Sequence, residues 1–164
     1  VHAGMHATTV LKGRAIIDGL TLEPLDVIIG PSNEPHGPLE YPDGCNLLSA
    51  FQGSYFHSEV ETLARERQYR LVQHDMLPWQ PLDGGGEIKT LVDRGLGRLL
   101  LEAYRFAPGA TFTPGFLAAL VVNGAPQVGD QTLGTWDFVY RDEGAGADVM
   151  SFPNGGTLLA VTMR

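Results

Sequence analysis

Residues 10–52, VLKGRAIIDGLTLEPLDVIIGPSNEPHGPLEYPDGCNLLSAFQ, lie without a gap over residues 121–163, VVNGAPQVGDQTLGTWDFVYRDEGAGADVMSFPNGGTLLAVTM. At this offset of 111 residues nine positions are identical: Val10/Val121, Gly13/Gly124, Thr21/Thr132, Leu22/Leu133, Asp26/Asp137, Pro42/Pro153, Gly44/Gly155, Leu47/Leu158 and Leu48/Leu159. Average residue usage would give about three by chance over such a length. The matches fall at turns and at apolar strand positions, so an internal duplication is the better reading. Each copy consists of short runs rich in β-branched residues and bounded by Gly, Pro or Asp. In the first these are residues 7–13, 14–18, 26–30 and 45–52; in the second, residues 117–124, 136–140 and 156–163. With 21 glycines and 11 prolines marking tight turns, regularly spaced short strands predict an all-β sandwich or barrel.

Between the copies, HSEVETLARERQ (57–68) opens with a capping box from Ser58 to Glu61, and Val60, Leu63 and Ala64 form an apolar stripe. A short connecting helix is expected there. Ahead of the second copy, EIKTLV (87–92) and RLLLEAYRF (98–106) read as two further strands. The first copy has no counterpart to them, because Val1 lies opposite Phe112. The expected organisation is an incomplete N-terminal repeat at 1–56, a linker helix at 57–70 and a C-terminal repeat at 71–164. A barrel lacking those strands would expose open edges, so about 30 residues are expected to precede Val1.

The length of 164 residues fits one domain or two small ones of similar build. A net charge of -8 argues against nucleic acid, whose phosphates require a basic face. No apolar run approaches the roughly 18 residues of a membrane helix, and no signal peptide follows Val1. The lone Cys45 cannot form an internal disulfide, so a cytoplasmic location is expected. A small, neutral molecule is the expected ligand.

The stretch from Gly13 to Gly37, with its Pro24-Leu25-Asp26 turn and the histidine His36 in PSNEPHG, resembles the second half of the cupin signature. The first half of that signature is a His-x-His pair, a Glu three or four residues on, and a Gly after six more. Counting back from Gly13 puts His6 in the Glu slot and His2 at the second histidine of the pair. The first histidine of the pair is expected within two residues upstream of Val1. The resemblance implies a double-stranded β-helix, or jelly-roll barrel, in two tandem repeats, the first truncated at its N-terminus. It also implies a divalent metal held by His2, His6 and His36. Residues four apart in a straight strand stand roughly 13 Å apart, but Gly4 permits a turn that would bring the imidazoles together. Neutral imidazole suits Fe(II), Zn, Ni or Cu, and Mn is also compatible with the family. The second copy has Thr113, Leu117 and Ala147 at these positions, so metal is expected in the first copy alone.

HAGMHATTVLKGR (2–14) followed by EPHG (34–37), with the second copy's MLPWQP (76–81) and FAPGATF (106–112), is similar to cupins that include acetylacetone- and dihydroxyacetophenone-cleaving dioxygenases. That group also contains the cupin portion of zinc-binding anti-sigma factors. In the diketone-cleaving register the Glu-like slot falls on Ala7 instead of His6, and the fourth ligand stays open. The resemblance implies an Fe(II) dioxygenase cleaving a small dicarbonyl or hydroxyketone, with His6 as a ligand or as a base near the enolisable carbon. An apolar pocket is expected on the strand face of Ile16, Ile28 and Leu48. Two other readings stand beside it: a non-catalytic sensor, whose second copy offers a ligand site or a homodimer surface, and a zinc isomerase or cyclase. Asp18 and Glu34 are minor candidates for a carboxylate ligand. His57, His74, Cys45, Trp79 and Trp136 read as structural residues.

Overall fold

A computed structural model describes residues 5–30, 38–52, 69–95, 98–142, 146 and 148–163. It divides the chain into two compact units, Val1–Met76 and Leu77–Arg164. The first contains β1 (Met5–Gly13), β2 (Ala15–Ile17), β3 (Leu20–Leu22), β4 (Val27–Gly30), β5 (Cys45–Gln52) and β6 (Arg70–Val72). The second contains β7 (Gln80–Leu82), β8 (Gly86–Asp93), β9 (Leu99–Phe106), β10 (Ala110–Phe112) and β11 (Ala118–Gly124). It continues with β12 (Gln127–Val128), β13 (Gln131–Thr132), β14 (Phe138–Tyr140), β15 (Met150–Phe152) and β16 (Gly156–Met163). Apart from a single 3-10 turn at His74–Met76, the regular structure of the described residues is all β. None of their helices is long and apolar enough to cross a membrane.

The first unit pairs its strands in the order β5-β1-β4-β6, with β2-β3 as a separate hairpin. The second has one sheet in the order β14-β11-β16-β9-β8-β7 and another in the order β10-β15-β12-β13. Its core draws on both sheets: Phe106, Val121 and Leu158 from one pack with Ala110, Met150 and Phe152 from the other. Phe106 and Phe152 stack with ring centroids 3.8 Å apart. Val10, Ala15, Ile17, Leu22 and Ile28 form the core of the first unit.

The backbone repeats at the same offset of 111 as the sequence. Ala7↔Ala50, Thr9↔Leu48, Val10↔Leu47 and Gly13↔Cys45 in the first unit correspond to Ala118↔Val161, Leu120↔Leu159, Val121↔Leu158 and Gly124↔Gly156 in the second. The register slips once in each, between Val10 and Lys12 and between Val121 and Asn123. The turns agree as well. Val10 N–H donates to Asp26 O as Val121 N–H does to Asp137 O, and Leu25 and Trp136 N–H return bonds to Val10 and Val121. Leu25 and Trp136 share a left-handed backbone, with φ of 76° and 75°.

The turn aspartate differs between the units. Asp26, 4% exposed, accepts the Glu23 N–H at 2.9 Å and the His74 N–H at 2.8 Å, so it ties the end of the first unit to the turn before β4. Asp137, exposed, accepts from the described residues the equivalent Gly134 N–H bond alone. Hydrogen bonds to charged groups contribute about 1.5–3 kcal/mol each when buried. Asp26→Ala should therefore lower stability by about 2–3 kcal/mol, and Asp137→Ala by less than about 1 kcal/mol. Urea unfolding of the two variants checks the difference.

Two expectations need correction. Arg70–Val72 pairs with β4, so these residues belong to the first unit and the division falls after Met76, not at 71. Three residues without a clear period carry no sequence sign of their partner. The expected pocket face is also slipped by one residue: Ile17, Ile28 and Leu47 face the core together, not Ile16, Ile28 and Leu48. Leu48 lies opposite Thr9, on the other side of the sheet, because side chains alternate with a period of two. The expected connecting helix, 57–70, lies outside the described residues as far as 68, and its last residue, Arg70, opens β6 instead.

Candidate metal centre

His6, Thr8 and Val10 share one face of β1, because alternate strand residues point the same way. Val10 belongs to the core; moving toward the start of β1, that face turns polar. Thr8 Oγ1 bonds Ser49 Oγ at 2.7 Å across the β1–β5 pair. His6 follows, only 4% exposed, opposite Phe51 of β5 and Gly30 of β4. Its ring stacks on Phe51 with centroids 5.2 Å apart and planes 23° apart. On the other side, a Cβ placed on Gly30 would lie 2.1 Å from His6 Cε1 and 2.6 Å from Nε2. Only glycine leaves the imidazole this space.

β1 begins at Met5 and β4 ends at Gly30, so the described ends of both strands lie at this rung of His6 and Gly30. His2 and His36 lie outside the described residues, as does Glu34. Among the described residues no three His, Cys, Asp or Glu side chains converge. The donor that can be tested fits a metal ligand: a buried imidazole on the inner face, held by an aromatic stack. Ala7, the rival occupant of the Glu slot, is fully buried on the opposite face and has no donor atom. The alternation therefore favours the register with His6.

The remaining candidates separate from this rung. Asp18 sits exposed in the β2–β3 turn, with φ of 48°, and accepts a bond from the Tyr69 hydroxyl. His74 is held through its backbone by Asp26. The partly buried Cys45 thiol is pushed up by burial, which makes it a poor nucleophile. Trp79 packs under Lys89 and Arg105, with the cations 4.6 and 4.5 Å from its ring centre. His57 lies outside the described residues.

The second unit is built differently at the same place. Leu117 stands for His6, Thr113 for His2, and Arg141 for Gly30; Ala147, opposite His36, lies outside the described residues. The Arg141 guanidinium donates to Pro114 O and Gly115 O, at 3.5 and 3.3 Å. A fixed cation there opposes metal binding, which the sequence comparison of histidines alone does not reveal. The interior holds Tyr104, Phe106, Phe112, Phe116 and Phe152 in mutual ring contact. The Tyr104 phenol is pushed far up by burial and by its bond to Glu102, so it stays protonated.

No protein-family model and no curated protein matches the sequence. Solved structures do. A "putative dioxygenase" of Nostoc punctiforme matches with a TM-score of 0.77 at 15% identity, over 99% of this chain and 63% of its own. A Geobacillus kaustophilus protein matches at 0.64 and 14%, over 98% of this chain and 74% of its own. The quercetin 2,3-dioxygenase of Acinetobacter baumannii matches at 0.64 and 12%, over 99% of this chain and 60% of its own. The chain folds as a cupin. It spans less than two thirds of the Nostoc and Acinetobacter proteins. The likeness to these structures at such identity carries the fold alone.

Proposed function

We propose that this chain is a tandem cupin whose first repeat holds a divalent metal through His2, His6 and His36, and that it is a non-haem iron dioxygenase cleaving a small dicarbonyl or hydroxyketone. The observation that carries the reading is the His6 imidazole, buried on the inner face over Gly30 at the described ends of β1 and β4. The dioxygenase names of two structural neighbours, each matched over 99% of this chain, support the reaction class. The repeated register and bulge support the tandem organisation. Iron at this site would supply Lewis acidity to a chelating dicarbonyl and redox chemistry toward dioxygen. The chain's own groups do the rest. Phe51 fixes the plane of the His6 ring, the Thr8–Ser49 pair offers hydroxyls beside it, and Val10, Ile17, Leu22 and Ile28 keep water from the floor. The acidic surface suits a neutral substrate rather than nucleic acid, and the lone Cys45 suits a cytoplasmic setting.

Protein purified without added metal should carry close to one iron per chain and consume one dioxygen per 1,3-dicarbonyl cleaved. His36→Ala should lower metal content severalfold, because each imidazole is one of few ligands. Zinc in place of iron, without dioxygen uptake, would favour the sensor or the isomerase reading. Unchanged metal content in His36→Ala would remove the site.

A further inference from the structure

The two units close their barrels differently along one edge. In the first, β6 lies antiparallel on β4, with Val27↔Val72 and Ile29↔Arg70. Tyr69 and Leu71, from the same segment, pack on the core. The residues there, Ile17, Leu22 and Ile28, are each 1% exposed. In the second unit the counterpart of β4 is β14, which among the described residues pairs with β11 alone. The counterparts of those three core residues are Val128, Leu133 and Val139, all only partly buried. They line an open cavity of about 270 Å³.

Among the described residues, the edge of β14 away from β11 has no strand beside it. Arg141 N–H bonds Leu117 O, and Asp137 O accepts from Val121. By antiparallel alternation the N–H and C=O groups of Phe138 and Tyr140 point away from β11. Their side chains, with that of Trp136, form an exposed aromatic row at 54%, 62% and 38%. Such an edge beside exposed aromatics and a cavity lined by Val128, Leu133, Val139 and Met150, with Arg141 and Asp148 also in its wall, is a template for another strand.

We infer that β14 and this cavity form a docking site for an extended peptide strand of β6-like chemistry, bound antiparallel with apolar residues at alternate positions entering the cavity. The occupant is read from the first repeat, where Tyr69 and Leu71 do this at the equivalent place. A second copy's β14 fits less well. The residues it would turn inward are Asp137, Val139 and Arg141, and two of the three are charged.

The probe is the synthetic peptide RQYRLVQH, residues 67–74, titrated into the whole isotopically labelled chain and followed by amide and methyl NMR. Saturable shifts are expected at the Phe138 and Tyr140 amides and the Val128, Leu133 and Val139 methyls at or below about 1 mM peptide. A peptide with Leu71→Asp should bind at least tenfold more weakly. Absence of shifts at these groups, or equal shifts from both peptides, overturns the proposal. Shifts at Val27 and Ile29 alone would mean that the peptide displaces β6, and also overturn it. Protection of Phe138 and Tyr140 that rises with protein concentration, without peptide, would assign the edge to a second copy instead.

Discussion

Gly30→Ala should strip most of the metal from the first repeat while the chain stays folded. The added Cβ would fall 2.1 Å from His6 Cε1 and 2.8 Å from Nδ1, well inside van der Waals contact. The obstacle is a side chain, so the ring is what must move. It has little room, since it is 4% exposed and stacked on Phe51. Overpacking of this kind costs about 1–3 kcal/mol, and a ligand turned from its ion loses its share of the coordination. The expected result is a severalfold drop in iron per chain with a modest loss of stability. The double variant His6→Ala/Gly30→Ala separates the causes, because neighbours in contact are not additive. Without the ring the alanine at 30 meets no clash, so most of the stability penalty of Gly30→Ala should vanish while metal content stays low. Additive stability losses in urea unfolding would mean that ring and glycine do not compete for the same space.

Gly13→Ala and Gly124→Ala should each destabilise by more than about 2 kcal/mol, and by similar amounts. These residues follow the shared bulge, at φ of 81° and 92°, a region that costs an L side chain about 1 kcal/mol or more. An alanine Cβ would also lie 2.3 Å from Gly44 O in one unit and 2.6 Å from Gly155 O in the other. Here the obstacle is backbone, held by the paired strands, and cannot rotate aside. The two substitutions test the duplication as mechanics: equivalent positions that close equivalent turns should fail alike. Thermal and urea unfolding measure both, and a near-neutral effect at either position would contradict the shared turn geometry.

The match of the chain to itself at an offset of 111 made much of the fold legible. Cys45–Gln52 and Gly156–Met163 are strands over the full expected spans, because two similar stretches reinforce each other's turn and strand signals. The face of each strand was harder. A one-residue slip separates Ile16 and Leu48 from Ile17 and Leu47, and the period-two pattern is blurred where β1 buries both of its faces. The partner of β6 was not legible at all. Of the candidate site, His6 could be found by counting from Gly13, but the space made for it by Gly30 depends on strand register, since the two residues are far apart in the chain. Arg141 was hidden for the same reason: its meaning comes from standing where Gly30 stands. A glycine that ends a strand opposite a buried histidine is the signal that would have found this pair.

Anomalous diffraction at the iron edge, from crystals of the chain purified without added metal, shows where the ion sits and which side chains hold it. One peak is expected, in the first repeat, within bonding distance of a ring nitrogen of His6, with His2 and His36 as the other histidine ligands. A peak held by side chains of the second repeat, or an ion in the first that His6 does not touch, would contradict the assignment.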